Sequence, residues 1–93
     1  MSRPALVVGS DAGNTNERYP LAIVAAISTA RRNILTHVSL EPNEENGLRE
    51  PSSVKCEQLL TFSKERLLTR IGRIDDSSLR SVESAIKLAL TLP

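Results

Sequence analysis

Five side chains early in the sequence could act together on phosphorus: Arg3, Ser28, Thr29, Arg31 and Arg32. Guanidinium groups bind phosphate oxygens, often through two parallel hydrogen bonds. A hydroxyl beside such a group can hold a phosphate oxygen or pass a proton through a short network. The set suits a reaction whose transition state gathers negative charge on phosphorus. Arginines and strand-end hydroxyls occur on most protein surfaces, so composition and spacing leave a phosphodiester site as one option among several.

Other chemistries are poorly represented. Gly9 and Gly13 stand apart, with no lysine where a phosphate-cradling loop requires one. A single histidine and a single cysteine supply no metal-ligand cluster, so no metal and no cofactor are expected. Glu44-Glu45 reads as a solvated loop. His37 falls in an alternating stretch and reads as an ordinary strand residue. Cys56 reads as a small core residue. A pairing of His37 with Cys56 is geometrically open, but no spacing brings the two together.

These groups need elements to place them. The run Ala22 to Ser28 is apolar until its final hydroxyl, then gives way to Thr29 and the Arg31-Arg32 pair. Such a run reads as a strand buried on both faces or lying in a closed sheet, with Ser28 and Thr29 at the rim. Residues 3–9 read as a second strand around the apolar run Ala5 to Val8, with Pro4 at its first position or on an edge, because proline cannot donate to a ladder. Residues 9–18 have turn composition. Thr36 to Leu40 alternates polar with apolar and predicts a half-exposed strand. From Ser53 to Phe62 the alternation predicts Val54, Cys56, Gln58, Leu60 and Phe62 on one face and Lys55, Glu57, Leu59 and Thr61 on the other. Ser63 to Leu67 predicts one helical turn, and Leu68 to Ile74 a last short strand. Asp75 or Asp76 then caps a helix carrying Leu79, Val82, Ile86 and Ala89 or Leu90 at helical spacing.

The 93 residues read as one domain, residues 1–93. Tyr19 and Phe62 are the only aromatics, so the core must be aliphatic. A formal charge of +1 gives no global attraction to nucleic acid, so anion binding must come from local clustering. No run approaches a signal peptide or a membrane span, and one cysteine allows no internal disulfide. A cytoplasmic protein is the expectation. Several strands, a C-terminal helix and no parallel crossover favour an antiparallel, partly closed sheet with a helix beside it.

The order of segments resembles the MazF/PemK family of toxin endoribonucleases. Arg3-Pro4-Ala5-Leu6-Val7-Val8 resembles the family's R-P-hydrophobic strand, and Ser10-Asp11-Ala12-Gly13-Asn14 its N-D-x-x-N loop. Ala22 to Ser28 is similar to the strand ending in the family's catalytic hydroxyl. Leu35-Thr36-His37-Val38 matches the next strand of one branch. Gly47-Leu48 through Ser53-Val54 resembles the G-L-x-x-x-S-x-V segment. Glu57-Gln58, Thr61 and Lys64-Glu65-Arg66-Leu67 resemble the E-Q-I-R-T-I-D-K-x-R-L element. The likeness runs from residue 3 to residue 92.

The resemblance implies a mainly β fold with a C-terminal α-helix: a small antiparallel Src-homology-3-like barrel, as in CcdB- and MazF-like proteins. It implies a homodimer, a toxin of a type II toxin–antitoxin system that cleaves single-stranded RNA sequence-selectively and without metal, and a MazE-like antitoxin. Arg3 would stabilise the phosphorane. Ser28, where the family usually has threonine, would hold the scissile phosphate or assist the 2′-oxygen, with Thr29 next in register. Arg31 and Arg32 would hold backbone phosphates, and Gln58 would read a base edge or serve as a satisfied sheet residue. The family has a further strand and a flexible loop ahead of the Arg3 position, so this sequence is expected to lack or replace its first strand and to show an open sheet edge. Leu60 stands where a basic residue is usual. Two other readings stay open: a non-enzymatic CcdB-like module that binds a gyrase-type target, and an inactive shortened toxin.

Overall fold

The computed structural model describes residues 4–8, 20–30, 33–66 and 70–91. Four strands form one antiparallel sheet: β1 (Ala5–Val8), β2 (Leu21–Ser28), β3 (His37–Leu40) and β4 (Ser52–Ser63). Their order across the sheet is β1-β2-β4-β3. A 3-10 turn (Lys64–Arg66) follows β4, and helix α1 (Asp76–Ala89) closes the described chain. The sheet curls into a half-barrel with the helix against it, in line with the mainly β fold and C-terminal helix expected from the sequence.

β2 and β4 are the two central strands. Their register shifts between Ala25 and Ala26: Ala25 pairs with Leu59 but Ala26 pairs with Lys55. Cys56, Glu57 and Gln58 therefore bulge from β4 opposite a single step of β2. Such a bulge bends the strand and increases its twist, which curls the sheet. It also resets the side-chain phase. Val54, Cys56 and Leu59 all belong to the apolar core, at spacings of two and then three, while Gln58 and Leu60 are exposed. The single unbroken alternation predicted for this stretch is thus corrected at the bulge.

The core is aliphatic and small. Ala25, Leu40, Val54, Cys56, Val82 and Ala85 are buried together, with Leu6, Val8, Ile27, Val38, Leu48, Leu59, Ile74 and Ile86 packed around them. Full burial of each valine side chain is worth about 1.5–3 kcal/mol relative to exposure. The helix reaches the sheet through Val82 and Ala85, and the small Ala85 permits close approach to β3 and β4. Asp75 is the N-cap: its carboxylate accepts the Ser78 N–H at 3.4 Å. Hydrogen bonding from the Ser78 side chain, then from nearby backbone N–H groups, holds the Asp75 pKa below the usual aspartate value.

Two expectations fail in detail. β2 is not buried throughout: Ala22, Val24 and Ala25 are buried, but Leu21 and Ile23 are exposed. The described part of the predicted last strand, residues 70–74, joins no ladder; Leu68 and Thr69 lie outside the described residues. Instead this segment docks on the loop before β4. The Arg73 N–H donates to the Glu45 carbonyl, and Arg73 Nε lies 3.5 Å from Glu45 Oε1. A Cβ on Gly47, whose φ is +67°, would sit 2.0 Å from the Ile71 carbonyl oxygen, so only glycine allows this approach. Asn46, buried nearby, accepts the Asn43 and Leu48 N–H groups and donates to the Glu41 carbonyl.

Among the described strands β1 lies at one edge of the sheet, and Val7, Leu21, Ile23 and Leu60 are exposed around it and β2. No helix among the described residues is long and apolar enough to cross a membrane.

Candidate functional site

Residues directly opposite in an antiparallel pair share a sheet face, as do alternate residues along one strand. The register therefore draws a grid at the end of β2. Ser28 of β2 pairs with Ser53 of β4, which pairs with Ser39 of β3. One row further in, Ala26 pairs with Lys55, which pairs with His37. Three hydroxyls, a lysine and a histidine thus occupy one patch of one face.

Ser28 is the last residue of β2 and is half-buried. The Ala30 N–H donates to its Oγ at 3.1 Å, a local turn that fixes where the oxygen sits. Thr29 follows at an exposed bend. The β1–β2 ladder runs from Val8 opposite Ile23 to Ala5 opposite Ala26. The N-terminal end of β1 and the C-terminal end of β2 therefore meet at the same end of the sheet. Arg3, Arg31 and Arg32 lie outside the described residues. Gln58 lies in the bulge, exposed, opposite the Ala25–Ala26 step and back along β2 from Ser28.

Two groups at this site were not singled out from the sequence. Lys55 is diagonal to Ser28 across the β2–β4 pair, which places their Cβ atoms within about 7–8 Å. It forms no ion pair with any described residue. Only the pairing register shows its position, since in sequence it is one polar residue in an alternating strand. The second is a cluster at the bulge. Glu57 Oε1 accepts the Thr36 hydroxyl at 2.9 Å, and Glu57 Oε2 lies 3.0 Å from His37 Nε2. Burial pushes the Glu57 carboxyl up, but hydrogen bonds from His37, its own backbone and Thr36, with the His37 charge, outweigh it and hold the pKa below the usual glutamate value. With the Cys56 N–H donating to the Thr36 carbonyl, the cluster pins the bulge to the start of β3. No sequence spacing announces it, because its partners are twenty residues apart.

An open groove of about 720 Å³ runs between β3 and α1, lined by His37, Ser39, Ser77, Arg80, Ser84 and Leu88 among others. Among the described residues proposed from the sequence, Ser28, Thr29 and Gln58, none lines it. Among the described residues no group of three or more His, Cys, Asp or Glu is placed to hold a metal ion. Cys56 is fully buried, and desolvation, followed by the Glu57 charge, raises its thiol to about 11. That leaves it a neutral core group rather than a nucleophile.

Comparison with known proteins adds a family. A family model described as "PemK-like, MazF-like toxin of type II toxin-antitoxin system" matches residues 1–90. The chain is 35% identical over 92 residues to endoribonuclease EndoA of Bacillus subtilis, covering 97% of this chain and 77% of that protein. It is 36% identical over 93 residues to endoribonuclease MazF of Staphylococcus saprophyticus, covering 97% and 74%. Among solved structures, the Mycobacterium tuberculosis toxin MazF-mt6 superposes with a TM-score of 0.86 at 28% identity, covering 98% of this chain and 88% of that one. A mycobacterial endoribonuclease in complex with its cognate antitoxin gives a TM-score of 0.85 at 25% identity, covering 98% and 82%.

Proposed function

The chain belongs to the PemK-like, MazF-like toxin family of type II toxin–antitoxin systems, and on that premise we propose how its endoribonuclease chemistry is carried out. The substrate is single-stranded RNA, and the site lies where the start of β1 and the end of β2 converge. The 2′-hydroxyl oxygen beside the scissile bond attacks phosphorus, and the bond from phosphorus to the 5′-oxygen breaks. The 2′-proton is lost and a proton is gained by the 5′-oxygen, so the products are a cyclic phosphate and a 5′-hydroxyl. No metal takes part.

Arg3 offsets the charge that gathers on the phosphorane. Its guanidinium is too weak an acid to supply the leaving-group proton. Ser28 hydrogen-bonds a non-bridging phosphate oxygen, and Thr29 stands next to it. Arg31, Arg32 and Lys55 hold neighbouring phosphates, and Gln58, presented on the pinned bulge, reads a base edge. The protein works as a homodimer through α1 and its neighbouring strands, in the cytoplasm. A MazE-like antitoxin, acidic and disordered until bound, covers the site. A neighbouring structure, itself a complex with an antitoxin, supports that partner.

The observation that carries this reading is the β1–β2 register. It ends with Ala5 opposite Ala26, two residues short of Arg3 on one strand and of Ser28 on the other. The test is incubation of the pure protein with mixed-sequence RNA in EDTA. Discrete cuts with 5′-hydroxyl ends are expected, falling by roughly 10²–10³-fold in Arg3→Ala, the usual loss when one charge-stabilising donor is removed. RNA that stays intact with the wild-type protein overturns the proposal.

A further inference from the structure

Ser53 is 1% exposed, and its Oγ has no hydrogen-bond partner among the described residues. A buried hydroxyl without a partner is rare, because burial strips its water and nothing replaces it. Its cross-strand neighbour on β2 is Ser28, whose Cβ lies about 4.5–5.5 Å away in such a pair, within reach of a hydroxyl–hydroxyl bond by rotation about χ1. On the other side stands Ser39, which is exposed and can bond to water.

The valence of Ser28 decides the assignment. A serine hydroxyl accepts at two lone pairs and donates one hydrogen. The Ala30 N–H already occupies one lone pair of Ser28. A hydrogen from Ser53 fits the second, and the Ser28 hydrogen is then the single group left to direct at a ligand. We propose that Ser53 is a positioning residue: it donates to Ser28 Oγ, fixes its rotamer, and aims its one hydrogen at the scissile phosphate. This rests on the reading of Ser28 given above. It also offers this chain a remedy for having serine at that position. Serine lacks the methyl that restricts a threonine hydroxyl, and a neighbour can impose the restriction instead.

The experiment is steady-state cleavage of one defined single-stranded RNA that the wild-type protein cuts, with thermal unfolding to check each variant. Ser53→Ala should lower kcat about tenfold with KM unchanged, the scale of one lost hydrogen bond. Ser53→Thr should keep wild-type kcat. Ser53→Cys, close in volume but a weak donor, guards against misfolding of the alanine variant and should also lose rate. Ser39→Ala should cleave as the wild type does. The deciding arm is a double-mutant cycle: in a Ser28→Ala background, Ser53→Ala should cost nothing further. A wild-type kcat for Ser53→Ala and Ser53→Cys overturns the inference, as does an equal loss in both backgrounds. If Ser28→Ala alone cleaves at the wild-type rate, the reading of Ser28 fails first, and that result is distinct from either.

Discussion

From Ser53 to Lys55, β4 is paired on both edges, with β2 and β3, and this half of the strand carries α1 on its inner face. Beyond the bulge, from Leu59 to Ser63, its only described partner is β2. Val54 and Cys56 on the first side are fully buried; Leu60 on the second is 52% exposed. One strand thus serves as a rigid floor at one end and an open apolar surface at the other. Ser28 and Ser53 stand over the floor, and Ile23 and Leu60 belong to the open end. The contrast says where precision is needed. Phosphate chemistry tolerates little misplacement, and the site proposed above falls where the strand is held from both sides.

The most severe test of this contrast is a charge placed in each half. Val54→Asp buries an unpaired carboxylate in the core and should abolish cooperative unfolding, a loss above about 4 kcal/mol. Leu60→Asp should leave stability within about 0.5 kcal/mol, the usual range for exposed positions. Urea denaturation followed by circular dichroism reads both. Equal losses would erase the distinction between the halves.

A smaller effect reports on burial of the floor itself. The Cys56 thiol titrates at about 11 in the fold against 9.0 when exposed. The folded state therefore holds the proton more tightly, and the stabilisation is present below pH 9 and lost as pH rises toward 11. At pH 10 the loss should be roughly 1 kcal/mol. Cys56→Ala should flatten that alkaline limb, and in the native wild type the thiol should resist alkylation at pH 8. Rapid native labelling would show that the floor opens.

The smallest effect lies at the bulge between the halves. The Glu57 carboxyl is held low, so its contribution is present above about pH 4.5 and lost as pH falls below it. Glu57→Gln should flatten the acid limb by less than about 1 kcal/mol, since this carboxylate is partly solvated. Its larger signature should be altered choice of cleavage sequence, because Gln58 is carried on the segment that Glu57 ties down. An unchanged cleavage pattern would leave the cluster a purely structural tie.

Much of this could be read from the residues and some could not. The apolar run ending in Ser28, the Asp75 cap and the helical spacing of Val82 and Ile86 are local signals, and the structure follows them. The bulge is not local. Nothing between Lys55 and Leu59 departs from a two-residue period strongly enough to reveal it, so Gln58 and Leu60 take the phase opposite to the one the alternation predicts. The last strand failed for a related reason: an apolar stretch near Ile71 and Ile74 looked extended, but Gly47 and Gly72 press the chain against a loop instead of a neighbouring strand. Lys55, Ser53 and the Thr36–His37–Glu57 cluster depend on cross-strand register, which one sequence does not display.

The strand order carries a further consequence, in time rather than in space. β4 comes last of the four in the chain yet sits between β2 and β3 in the sheet. A chain still growing on the ribosome and extended only to Glu50 holds β1, β2 and β3, with nothing to join the third to the others. Pairings between distant segments also form slowly. The sheet, and with it a braced site at the end of β2, must therefore await synthesis of β4, which ends at Ser63, and a nascent chain that stops short of that strand poses no threat to the message being read.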